Sequence, residues 1–245
     1  MNRTIELLTE NPYFYFNSNP VIDRLLDNFN VIKQEFLTAA AVRGLVDSTG
    51  NLINGELLDN RISKKLNDSM YVGKFKSINL YITDSFLDDP EKKEMFWRPG
   101  ETERFATKLL NLMPFTNSYI QEYKELIGAF TYNISYPGSR LRPHLGLNPE
   151  CVRVHYCLFE SPHCIFDIEG WGRSWKEGEL FGFDDGNVFH GTDHKNLQGA
   201  LPRVILIVDM KKSYIKPYIK NFSGRSFTPT RQEIITQIPL KNWDN

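Results

Sequence analysis

Two periods of apolar residues divide the chain. Over residues 21–37 the positions Val21, Leu25, Leu26, Phe29, Ile32, Phe36 and Leu37 recur every three or four residues, the spacing that turns one helix face to a core. At Gly128 the period changes to two. Phe130, Tyr132, Ile134 and Tyr136 fall on one side of a strand, Thr131, Asn133 and Ser135 on the other. Strand-like segments follow at 151–159, 164–168, 179–183, 188–190 and 204–210, parted by Ser161-Pro162, Glu169-Gly170, Glu177-Gly178 and Asp185-Gly186. Many short strands at close spacing predict an antiparallel barrel or jelly roll.

The rest of the chain reads as support. Residues 1–20 suggest an extended arm, 44–55 a loop, 71–83 a strand or hairpin arm, and 84–100 a loop. Residues 101–112 and 117–126 read as short helices separated by Met113-Pro114-Phe115, and residues past 211, with Pro217, Pro229 and Pro239, as a wrapping tail. The predicted organisation is one domain over 1–245: helical and loop support in 1–127, a barrel core in 128–211, and a tail in 212–245. The fold class is mainly β with a helical N-terminal half bracing the barrel.

Composition adds limits. The formal charge of −1 offers no global attraction to nucleic acid or anionic membranes, so a cationic site must be local. The odd cysteine count, without a CxxC pair, fits free thiols and a cytoplasmic location. No signal-peptide core or membrane-spanning run is evident.

Candidate chemistry gathers between Ser139 and Asp209. His144 follows an Arg-Pro pair, and His190 ends a strand-like run; imidazole suits iron, zinc and copper alike. The HxD carboxylate of an iron facial triad is missing, because Gly146 stands in its place. An Asp there would be expected to hold iron at least as tightly. Period two sets Cys151, Arg153, His155 and Cys157 on one strand face, either a solvent-facing polar edge or a polar barrel interior. Val204-Ile205-Leu206-Ile207-Val208 is apolar throughout, so both faces are buried. Arg203 leads into it and requires an anion: a bound carboxylate, or Asp185 or Asp209 in a plain salt bridge. His194 reads as a loop residue and His163 as an exposed one. Asp184 and Asp185 either make a turn or orient a ligand imidazole.

These residues carry a resemblance. A Pro137-Gly138 turn precedes Pro143-His144-x-Gly146. Arg153-x-His155, Trp175-x-Glu177-Gly178, Phe183-Asp184-Asp185-x4-His190 and Arg203-x4-Val208-Asp209 follow. From about residue 133 to 210 the chain resembles the aspartyl/asparaginyl β-hydroxylases, Fe(II)- and 2-oxoglutarate-dependent oxygenases on a double-stranded β-helix (a cupin-like barrel). The resemblance implies that His144 and His190 ligate Fe(II) without a carboxylate, and that Arg203, helped by Asn133, takes the distal carboxylate of 2-oxoglutarate. It implies that His155 helps hold this co-substrate and that Arg153 meets a carboxylate of co-substrate or substrate. It implies, further, O2 as the oxidant and His144, His190 and Arg153 as the catalytic set.

Two departures concern the substrate. Cys151 stands where the family's peptide hydroxylases tend to carry another arginine, and the connection from His190 to Arg203 is longer. The family's substrates point to an amino acid, free or as an aspartyl- or asparaginyl-type residue in a peptide, with no membrane anchor. Competing readings are a non-catalytic or zinc-holding barrel that binds a small carboxylic acid, and a halogenating relative in which a halide enters the vacant carboxylate position. Oligomeric state is not legible.

Overall fold

The computed structural model describes residues 11–47, 52, 71–83, 103–146 and 148–220. Two antiparallel sheets form the barrel. The strands are β1 (Tyr71–Val72), β2 (Phe75–Thr83), β3 (Glu103–Phe105), β4 (Ile127–Ser135), β5 (Arg140–His144), β6 (Cys151–Phe159), β7 (Cys164–Ile168), β8 (Trp171–Ser174), β9 (Leu180–Phe183), β10 (His190–His194) and β11 (Arg203–Lys211). One sheet runs β3-β2-β4-β11-β6-β9 and the other β1-β5-β10-β7-β8. Strands β1–β3 thus draw part of the segment before residue 127 into both sheets.

The period-two pattern explains why the six-stranded sheet is buried on both faces. Phe130, Tyr132 and Ile134 of β4, Val152, Val154 and Tyr156 of β6, and Val204, Leu206 and Val208 of β11 belong to one apolar cluster. Helices α1 (Pro20–Asp27), α2 (Phe29–Val42) and α4 (Pro114–Tyr123) supply Val21, Leu25, Ile32, Phe36, Tyr119 and Ile120 to that cluster. Ile205 faces the other way, joining Cys157, Phe166, Trp175, Phe181 and Phe183 inside the barrel. A leucine- or isoleucine-sized side chain fully buried in such a layer contributes about 1.5–3 kcal/mol.

The single helix expected over 21–37 is two. Asn19 caps α1, its side chain accepting from Ile22 N, and Pro20 occupies the first turn. The chain breaks at Asn28, whose side-chain amide donates to Arg24 O at 2.9 Å. The helix expected over 101–112 is β3 followed by a four-residue helix, α3 (Thr107–Leu110), because Phe105 pairs with Tyr81 across β2. Two helices are parted near Pro114 as expected, but the break falls at residues 111–113 and Pro114 opens α4. Buried Glu35 of α2 satisfies that helix start, accepting from Phe115 N, Thr116 N and Thr116 Oγ1 at 2.7, 2.9 and 2.6 Å. A short α5 (Lys212–Ile215) follows β11.

Residues 11–16 form part of the expected arm: Phe14 bridges Gly182 at the edge of β9, and Phe16 bridges Ile219. Residues 1–10, most of the 44–55 loop, the 84–100 loop and the tail beyond 220 lie outside the described residues. Among the described residues no helix is long and apolar enough to cross a membrane.

Candidate active site

His144 ends β5 and His190 opens β10, and strand pairing sets the two residues opposite one another. Their ring centroids are 4.3 Å apart. The Nδ1 of His144 lies 2.9 Å from Arg142 O, and that of His190 3.0 Å from Val188 O. A carbonyl oxygen only accepts, so each Nδ1 carries a proton and each Nε2 of a neutral ring keeps its lone pair. Burial, with the charge of His190 next, lowers the pKa of His144 to about 3. Two facing imidazoles, each oriented by a backbone carbonyl at Nδ1, suit a divalent transition metal when both are neutral. Among the described residues no group of three or more His, Cys, Asp or Glu forms a ready metal cage.

Asp185 sits beside this pair, its Oδ1 3.2 Å from His190 Nε2 and 2.7 Å from Arg153 Nη1. Burial alone would raise its pKa, but Arg153, aided by His190 and His144, pulls it below the ordinary carboxylate range. The carboxylate occupies the place that glycine leaves at position 146. A Cβ on residue 146 would lie 2.7 Å from Asp185 Oδ1 and closer still to Cγ and Oδ2. This corrects the expectation that an Asp at 146 would enter open space beside the metal. Asp184 points elsewhere, pairing with Lys212 Nζ at 2.8 Å; burial, only partly offset by Lys212, raises its pKa to about 6.

Arg153 is gripped by the protein itself. Its Nε and Nη2 donate to Asp209 Oδ1 and Oδ2, both at 2.8 Å, while Nη1 meets Asp185. The cross-strand register of Asp209 with Arg153 on β11 and β6 creates this fork-to-fork pair.

That arrangement leaves Arg203 without either acid. Its side chain is 2% exposed, yet among the described residues no carboxylate pairs with it. Nη1 donates to Asn133 Oδ1 at 3.1 Å, the guanidinium lies 4.4 Å from the Trp175 ring centroid, and Nε has no hydrogen-bond partner. A buried guanidinium without an acid is costly unless an anion joins it. The salt bridge to Asp185 and Asp209 expected as the alternative for Arg203 is made by Arg153.

His155 lies inside the barrel and not on a polar edge. Phe166, Phe181 and Phe183 surround it at centroid distances of 5.2, 5.6 and 5.1 Å. Burial first, then the charges of Arg153 and Arg203, push its pKa well below the usual histidine value. The polar interior face of β6 therefore unites His155 with Cys157. All three cysteines are buried and free, and burial raises their thiol pKa values.

His194 differs from the loop reading. It closes β10, is 1% exposed, and lies between Ser135 Oγ at 3.2 Å and Ser161 Oγ at 3.0 Å. His163 is exposed, as expected. Trp175 had no role assigned from its motif, although the motif was visible. Nor did the sequence signal that Tyr13 would close on Phe166 and Phe181, its hydroxyl donating to Trp171 O at 2.5 Å.

A family description, aspartyl/asparaginyl β-hydroxylase, matches residues 58–213, more than half of the chain. Solved structures give partial overlaps. A cupin-like protein from Thermotoga maritima shares 10% identity over 61% of this chain and 77% of its own, with a TM-score of 0.34. A cupin 2 conserved barrel domain protein from Leptotrichia buccalis shares 14% over 57% and 42%, with a TM-score of 0.31. A predicted oxalate decarboxylase from Thermotoga maritima shares 17% over 38% and 73%, with a TM-score of 0.30.

Proposed function

Because the chain belongs to the aspartyl/asparaginyl β-hydroxylase family, we propose that it is an Fe(II)- and 2-oxoglutarate-dependent oxygenase. Its substrate is an amino acid, free or as an aspartyl- or asparaginyl-type residue of a peptide, hydroxylated at an unactivated carbon. The observation that carries this reading is the guanidinium of Arg203, without an acid among the described residues, buried in the same barrel as two imidazoles that face each other across β5 and β10.

His144 and His190 would hold the iron, which supplies the oxygen-activating redox chemistry when bound. Arg203 and Asn133 would receive the distal carboxylate of the co-substrate, turning an uncompensated buried charge into a charge-assisted pair. His155 would meet the co-substrate as a neutral group, donating or accepting one hydrogen bond without adding charge. Arg153 fixes the Asp185 carboxylate beside His190, and Asp209 fixes Arg153. Phe166, Phe181 and Phe183 give His155 an apolar surround.

The halogenating alternative requires an open carboxylate position; Asp185 filling the space beside Gly146 favours hydroxylation. The near-neutral charge and buried free thiols support a small-molecule or peptide substrate in the cytoplasm. The test is incubation of candidate amino acids and short peptides with protein, Fe(II), 2-oxoglutarate and O2, followed by mass spectrometry. A gain of one oxygen atom, dependent on both iron and 2-oxoglutarate, is the expected result. Neither oxygenated product nor succinate would return the barrel to the acid-binding reading.

A further inference from the structure

Two of the groups assigned to the co-substrate, His155 on β6 and Arg203 on β11, share one neighbour. Trp175 lies between β8 and β9 and is 2% exposed. Its face carries the Arg203 guanidinium at 4.4 Å, and its Nε1–H donates to His155 Nδ1 at 3.4 Å. An indole nitrogen can only donate, so this contact makes Nδ1 of a neutral His155 the acceptor and leaves the proton on Nε2. No other described polar group makes that choice. The remaining close neighbours of the imidazole are the rings of Phe166, Phe181, Phe183 and Trp175. Arg203 leans on the same ring, while Asn133 holds Nη1, the Cys164 thiol lies beside the guanidinium and Nε has no partner. The indole face is the broadest of these supports for the plane of the guanidinium fork.

We propose that Trp175 is the positioning residue of a dicarboxylate subsite. Its N–H locks His155 with Nε2–H presented as a donor, while its face holds Arg203 ready for the far carboxylate. This inference rests on the co-substrate reading above, but its first measurement requires neither metal nor ligand.

The experiment is 15N NMR of histidine side chains in the metal-free, ligand-free protein, with the His155 signals identified by their loss in His155→Gln. The expected result is the Nε2–H tautomer for His155. Trp175→Phe keeps an aromatic face and deletes the donor. It should shift His155 toward a mixture of tautomers and raise the 2-oxoglutarate dissociation constant about 5-fold, the worth of one neutral hydrogen bond. Trp175→Leu removes the face as well and should raise it by a further factor of about 5, from the lost cation–π contact. Metal affinity should be unchanged in both variants.

An Nδ1–H tautomer in the parent protein would overturn the proposal, as would Trp175→Phe with parental His155 signals and parental affinity. If a variant fails to fold, the parent tautomer still decides. If the parent does not bind 2-oxoglutarate, the co-substrate reading fails, and the tautomer measurements alone judge the role of the indole.

Discussion

Replacing Gly146 by alanine should be among the most damaging single-methyl changes in this protein. The position does not require glycine for its backbone, since its φ lies outside the left-handed region. It requires room. The new Cβ would fall on the Asp185 carboxylate, which is buried and held by Arg153 at 2.7 Å and His190 at 3.2 Å. Overpacking a filled site costs about 1–3 kcal/mol. Expelling one partner of a buried ion pair costs about 3–5 kcal/mol. Asp209 still pairs with Arg153, so only part of the second cost applies, and Gly146→Ala should destabilise by about 2–4 kcal/mol. Urea unfolding of parent, Gly146→Ala, Asp185→Gly and the double variant measures this. With the carboxylate gone the methyl has space, so the double variant should be no less stable than Asp185→Gly alone. A Gly146→Ala protein within about 0.5 kcal/mol of the parent would refute the reasoning, and so would additive costs. Gly146→Asp adds like-charge repulsion to the same collision, so it should bind Fe(II) more weakly than the parent.

Arg203→Met should raise the 2-oxoglutarate dissociation constant by at least ~100-fold, from the loss of one partner of a buried charge pair. Ligand-free stability should stay within about 1 kcal/mol, because the guanidinium has no acid to lose; strong destabilisation in denaturant titrations would reveal a structural role instead. His144→Ala and His190→Ala should each abolish stoichiometric Fe(II) binding in anaerobic titrations while leaving the far-ultraviolet circular dichroism unchanged. Asp184 has a folded pKa of about 6, above its unfolded value, so the native state binds the extra proton between about pH 4 and 6. That contribution is fully present below the unfolded pKa and is lost as pH rises through the folded one. Parent stability relative to Asp184→Asn should therefore grow by about 2 kcal/mol between pH 7 and pH 4.5, as read from urea midpoints.

Much of the barrel was legible because burial on alternate sides leaves a period-two trace. The β4 pattern and the Val204–Val208 run were both readable, and each follows from a sheet covered by helices outside and aromatic rings inside. What escaped was decided by contacts across the fold. Glu103–Phe105 carries helix-compatible residues, yet its pairing with β2 makes it a strand. Pro114 looked like an interruption because its buried capping partner, Glu35, lies far away in sequence. His144, His190, Arg203 and Asn133 were recognisable from their motifs. The distribution of acids was not, because only strand register gives Asp209 to Arg153 and leaves Arg203, among the described residues, with Asn133 and no acid. Gly146 likewise marked a missing side chain, while the carboxylate filling that place comes from Asp185, on the loop leading to β10.

The most direct test of the central claim is succinate release from 2-oxoglutarate under air, with and without Fe(II), using His144→Ala as the matched blank. Succinate that requires Fe(II) and disappears in His144→Ala is the predicted result. Iron-loaded parent protein that binds 2-oxoglutarate yet forms no succinate above the blank, across a panel of amino acids and peptides, would contradict the account.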